Sequence, residues 1–192
     1  LLRENDPSYD FCNRAIDNLV GQGFQETCNY SLRSSEETSS WLPQLECEKI
    51  ALANPLTSDH THVRPSLLPG LADTLAHNQK NLNDLQGVFE TGRVFRPGPR
   101  GNLECISVAF ATLAQPDSRQ WKKGEPIDFF GIKAILGRMM AATGLSLPKG
   151  TWDALENVSP WQDGYSAAIG DCHRNKLQVT IGIIRLSLSK QK

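Results

Sequence analysis

Hydrophobic positions recur in two rhythms along this chain. Phe11, Ala15, Ile16, Leu19 and Val20 follow one another at helical spacing. Asp6-Pro7-Ser8 opens that run, because an acidic or hydroxyl side chain caps free N–H groups and proline fits a first turn. Gly21 and Gly23 close it. A strand is expected over Phe24–Leu32. Ser34-x-x-Glu37 has the form of a capping box for a short helix to Trp41, closed by Pro43. Lys49–Ala53 reads as a short strand cut off by Asn54-Pro55.

The stretch NPLTSDHTHVRPSLLPGLADTLAHN is irregular at first and then helical. Pro65 and Pro69 resist regular pairing. From Pro69 onward Leu68, Leu71, Leu75, Asn78 and Leu82 fall three and four apart, with Ala72 and Ala76 beside them. This is a narrow, bundle-like seam. Gln86–Pro97 alternates as a strand, Pro97–Gly101 is a hairpin connection, and Cys105–Leu113 is an apolar strand of central character. Residues 116–125 read as a loop. Pro126–Thr143 is a helix with Ile132, Ile135, Leu136, Met139 and Met140 on one side, ended by Gly144. Three strands follow: Thr151–Glu156, Tyr165–Gly170 and Leu177–Leu186. The order of elements predicts an α+β fold, mostly antiparallel sheet flanked by helices, in one domain over residues 1–192.

Composition narrows the function. The 192 residues carry a net charge of -1, without the basic excess of a free-standing nucleic-acid binder. No apolar run reaches the roughly 20 residues of a membrane span. The five cysteines are scattered and form no Cys-x-x-Cys, which fits reduced thiols in a cytoplasmic protein. The chain starts at Leu1 and reads as a piece of a longer protein.

Candidate chemistry is sparse. His60-x-His62, with Asp59 and His77, lacks a fixed third ligand, so a solvated loop is preferred to a metal site. Adjacent Cys172-His173 is poor geometry for a nucleophile and its base, and reads as a turn. Trp161–Tyr165 reads as a turn with a packed aromatic. Phosphate loops and nucleophile elbows are missing. Arg93 and Arg96 lie on one strand and have the planar forks that grip phosphate or carboxylate, but on composition the preferred reading is one surface charge and one arginine paired with Glu90 or a nearby acid.

Several motifs together resemble a known family. Asn54-Pro55-Leu56, Asp59-His60, Arg64-x-Ser66-Leu67-Leu68-Pro69-Gly70-Leu71 and Phe89-Glu90-x-Gly92-Arg93-Val94-Phe95 run in the order found in the core domain of the bacterial phenylalanine–tRNA ligase beta subunit. GQGFQETCNYSL and DFFGIKAILGRMM are similar to flanking segments of that family. Pro65 stands where threonine is usual, and the closing IGIIRLSLSK lacks the usual Gly-x-x-His-Pro.

The resemblance implies a class II aminoacyl-tRNA synthetase-like sheet that is a degenerate relative of the catalytic domain. It implies packing against the alpha subunit in a heterotetramer, with tRNA(Phe) met through the full complex. ATP and Mg²⁺ are expected in the parent complex and no cofactor in this domain. It turns Leu68, Leu71, Leu75, Asn78 and Leu82 into expected subunit-interface residues, and Glu90 and Arg93 into a vestigial ligand site. No catalytic or metal-binding residue is expected, because adenylate chemistry needs several positioned charges together. Two other readings stay open. One is a small-ligand enzyme binding ATP or an amino acid through Glu90, Arg93 and His60. The other is a homodimeric module built on the Leu68–Leu82 helix.

Overall fold

The computed structural model describes residues 6–41, 49–81, 85, 87–98, 100–114, 126–146, 153–154, 161–169 and 179–184. Its elements in chain order are α1 (Pro7–Gly21), β1 (Gln25–Glu26), β2 (Leu32–Arg33), α2 (Ser35–Trp41), β3 (His62–Val63) and α3 (Leu68–Lys80). They continue with β4 (Gly87–Gly98), β5 (Gly101–Thr112), α4 (Phe129–Thr143), β6 (Asp153–Ala154), β7 (Trp161–Ile169) and β8 (Val179–Ile184).

The helices begin and end for local reasons. Asp6 caps α1 by accepting from the Ser8 N–H at 2.9 Å. Ser34 Oγ accepts from the Glu37 N–H at 3.1 Å, which realises the hydroxyl half of the capping box on α2. Asp128 accepts from the Gly131 N–H at 2.8 Å, so α4 starts at Phe129 and not at Pro126. Gly144 ends α4 at a φ of 74°, where a side chain would be strained.

The described strands form three sheets. β4 lies between β1, its parallel neighbour, and β5, its antiparallel neighbour. The β4–β5 register is unbroken from Gly87 opposite Thr112 to Gly98 opposite Gly101. β2 pairs with β3, and β6, β7 and β8 form an antiparallel group. The pairing is mainly antiparallel, as expected.

Three expectations change. The strand over Phe24–Leu32 splits into β1 and β2, which join different sheets. Lys49–Ala53 contributes only a bridge, Ala51 opposite His62. β5 stands at the end of the described β1-β4-β5 order, so β4 is the central strand.

Both faces of β4 are covered, because alternate side chains point opposite ways. Phe89 packs with Ala15, Leu19 and Phe24 and with Ile135, Leu136, Met139 and Met140 of α4. Val88 packs with Leu71, Leu75 and Leu85 on the other face. The sheet is therefore layered between α1 with α4 and α3. Among the described residues no helix is long and apolar enough to cross a membrane.

Candidate functional site: the Arg64–Glu90 cluster

The α3 leucines Leu71 and Leu75 face the chain's own core and not a partner, contrary to expectation. Leu71 is 0 % exposed and Leu75 is 5 % exposed, and both lie against Val88 inside the chain's own core. They are not free to be covered by another subunit. Their burial stabilises the domain by about 1.5–3 kcal/mol each relative to exposure. Helical spacing identified an apolar face and could not say which surface covers it. Leu68 and Asn78 are half-buried, and Leu82 lies outside the described residues.

The motif residues converge beside α3. Glu90 stands two residues after Val88, on the face of β4 that α3 covers, and is 2 % exposed. Arg64 reaches it from the segment after β3, with Nη1 donating to Glu90 Oε1 at 2.5 Å. Asn29, between β1 and β2, donates from Nδ2 to Glu90 Oε2 at 2.8 Å. Both carboxylate oxygens are thus satisfied, as a buried charge requires.

The donors are themselves held. Arg64 Nε donates to the Arg93 carbonyl at 3.0 Å, and Nη1 also reaches the Asn29 carbonyl at 3.2 Å. The Arg64 backbone is fixed at both ends, its N–H donating to Ser31 O at 2.8 Å and its carbonyl accepting from the Phe95 N–H at 3.0 Å. The Thr74 hydroxyl donates to Asn29 Oδ1 at 3.1 Å, which ties α3 into the cluster.

Two glycines make room. A Cβ on Gly92 would come within 2.5 Å of Arg64 Nη2, and one on Gly70 within 2.7 Å of Asn29 Cβ. These close approaches give the Pro69-Gly70 and Gly92-Arg93 motifs a physical reason. Arg64 and Asn29 fall within the quoted family-like segments, yet neither was read as a site residue. The signal for Arg64 was available: an acid directly after Val88-Phe89, in a buried stretch of strand, demands a buried cation.

Arg93 behaves differently. It is exposed, and its guanidinium donates to Glu104. The hydrogen bond to Glu104, and next the charge of that carboxylate, hold its pKa above the ordinary value. Arg93 and Arg96 are three apart on a strand and so point to opposite faces, which rules out a joint grip on one ligand. Glu90 and Arg93 are likewise separated, so the structure does not assemble them into one pocket. Arg96 Nε is buried without a hydrogen-bond acceptor.

The other candidates disperse. His60 stacks on Tyr30 with centroids 4.9 Å apart, His62 Nδ1 bonds Thr61 Oγ1 at 2.8 Å, and His77 Nε2 bonds Asn81 at 3.0 Å. Among the described residues no three His, Cys, Asp or Glu side chains gather as a metal site. Burial first, and Asp6 second, push the Cys12 thiol up, which is the opposite of nucleophile activation. Trp161–Tyr165 belongs to β7 and is not a turn. Cys172-His173 lies outside the described residues. ATP with Mg²⁺ needs cations and carboxylates turned toward the ligand. Arg64 and Glu90 are turned toward each other, and that donor set does not fit the group.

Comparison with known proteins places this geometry. Residues 2–185 match the family model described as the phenylalanyl tRNA synthetase beta chain CLM domain. The chain belongs to that family.

A phenylalanine–tRNA ligase beta subunit from Dehalococcoides mccartyi (strain CBDB1) is 35% identical over 130 residues, covering 67% of this CLM-domain chain and 16% of the relative. One from Onion yellows phytoplasma (strain OY-M) is 34% identical over 150 residues, covering 78% of the chain and 17% of the relative. The CLM-domain chain therefore spans about one sixth of the length of these relatives.

The fold is similar to solved class II synthetases. A pyrrolysyl tRNA synthetase from Desulfitobacterium hafniense superposes with a TM-score of 0.56 at 15% identity, over 84% of this chain and 55% of that one. A histidine–tRNA ligase subunit from Alicyclobacillus acidocaldarius gives 0.56 at 14% identity, over 76% and 40%.

Proposed function

We propose that this CLM domain is a noncatalytic scaffold within a phenylalanine–tRNA ligase beta subunit, packing against the catalytic alpha subunit to support formation of phenylalanyl-tRNA in the cytoplasm. One observation carries the reading: Arg64, Glu90 and Arg93 of the matching motifs are each already paired within the chain. Arg64 is bound to Glu90 in the interior, and Arg93 to Glu104 at the surface. Activation of an amino acid needs such groups aimed at a nucleotide and a carboxylate. In this reading ATP and Mg²⁺ are bound by the alpha subunit, and tRNA(Phe) is met by the whole complex.

The docking surface moves from α3 to the outer side of α1. Tyr9, Ile16 and Val20 follow at steps of seven and four, which places them along one stripe of the helix. Tyr9 is 66 % exposed and Val20 54 % exposed, while Ile16 is half-buried. Ile16 also packs against the core cluster of Ala15 and Leu19, so the exposed part of the stripe is Tyr9 and Val20 at its two ends.

The test is capture by a phenylalanine–tRNA ligase alpha subunit, together with ATP–pyrophosphate exchange by the chain alone. We expect capture, and no exchange without the alpha subunit. The Tyr9→Asp, Val20→Asp double variant is expected to weaken capture roughly tenfold or more, about 1.4 kcal/mol, with an unchanged unfolding midpoint. Exchange activity in the isolated chain, abolished by Arg93→Ala, would reverse the noncatalytic reading. Undiminished capture of the double variant would remove the α1 surface.

A further inference from the structure

The bonds around Glu90 have a division that its burial alone does not require. The two groups that receive its carboxylate are Arg64 Nη1 and Asn29 Nδ2. Each is oriented by contacts in which Glu90 takes no part. Arg64 is aimed by its bonds to the Arg93 and Asn29 carbonyls and by its fixed backbone. Asn29 is aimed by Thr74, whose hydroxyl also donates to the Gly70 carbonyl at 2.9 Å, and by Nδ2 to Thr27 Oγ1 at 3.3 Å. Gly92 leaves the space that the guanidinium fills.

We propose that Arg64 and Asn29 form a preorganised receptor for a small monocarboxylate, and that the chain fills this receptor with its own Glu90. A fixed guanidinium and a fixed amide N–H meeting the two oxygens of one carboxylate, away from water, is the chemistry of a carboxylate-binding site. Tethering makes the internal carboxylate a high-concentration occupant that free carboxylates do not displace. The inference needs only this geometry and does not depend on the docking role.

Glu90→Ala removes Cγ and the carboxyl group, the heavy atoms of acetate, and opens the receptor to an external ligand. The probes are acetate and formate, with propionate as an oversized analogue and chloride at equal ionic strength as the control. The readout is the thermal unfolding midpoint of the 192-residue chain. In Glu90→Ala, acetate is expected to raise the midpoint by about 3 °C at about ten times its dissociation constant. Formate should act similarly, and propionate less. The unsubstituted chain, and Glu90→Ala combined with Arg64→Met or Asn29→Ala, should respond to acetate only as they do to chloride.

Equal responses to acetate and chloride in Glu90→Ala would overturn the proposal. So would an equal acetate effect in the unsubstituted chain. If Glu90→Ala does not fold in chloride, its refolding yield is compared in acetate and chloride. Recovery confined to acetate supports the receptor, and failure in both overturns it.

Discussion

Two arginine–glutamate pairs are built on β4, and they differ in almost every respect that matters. Glu90 points toward α3 and meets Arg64 in the interior; Arg93 points to the other face and meets Glu104 in solvent. Both pairs satisfy the same chemical description. The buried pair has extra partners in Asn29 and the Arg93 carbonyl, fixed backbones, and a glycine shaped to admit it. The exposed pair is surrounded by water that can replace either partner. Breaking a buried pair strands an uncompensated charge, whereas an exposed pair is screened and loses side-chain freedom when it forms. Context therefore decides which arginine the fold depends on, and it is not the one that the Gly-Arg-Val-Phe motif draws attention to.

The largest separation between the pairs is expected in Glu90→Ala, which leaves Arg64 buried without its anion. The cost is about 3–5 kcal/mol, a fall in unfolding midpoint of at least about 6 °C. Replacing both partners by apolar residues, Arg64→Met with Glu90→Leu, should cost less than Glu90→Ala alone. Urea unfolding of the single and double variants gives the coupling directly. Simple additivity would mean that the two side chains contribute independently, and the buried side of the comparison would fail.

Next in size is Gly92→Ala. Its Cβ would meet Arg64 Nη2 at 2.5 Å, and that guanidinium has little freedom to retreat because Nε and Nη1 are already bonded. We expect a loss of about 1–3 kcal/mol. In an Arg64→Met background most of that loss should vanish, which separates a clash with the guanidinium from a general effect on β4. A loss of the same size in both backgrounds would place the cause elsewhere.

These contrasts explain how far the sequence could be read. Helix ends were legible because their causes are local: Asp6, Ser34 and Gly144 act within a few residues of themselves. The α+β class and the motifs of the family were legible for the same reason. Partners distant in sequence were not. Nothing near Leu71 or Leu75 announces that Val88 will cover them, so an internal face was read as an interface. Nothing near Asn29 announces Glu90, which is 61 residues away. Arg93 and Arg96 looked like a pair until strand geometry put them on opposite faces. Val20 was read in the same apolar run as Ala15 and Leu19, yet it is exposed where they are buried.

The smallest effect is expected at the surface, where Arg93→Ala removes a charged group from the same strand. Its partner Glu104 then returns to water, and neither group is left buried. The raised pKa of Arg93 does not alter this, because arginine is charged at every pH near neutrality whether or not Glu104 is present. The unfolding midpoint of Arg93→Ala should match that of the parent chain within error, and any difference at low salt should fade as salt is added. Thermal unfolding at two salt concentrations makes the measurement. A salt-resistant loss comparable with that of Glu90→Ala would show that exposure is not what distinguishes the pairs. It would shift attention to the Arg93 carbonyl, which links the two pairs, since the acceptor for Arg64 Nε belongs to the residue that binds Glu104.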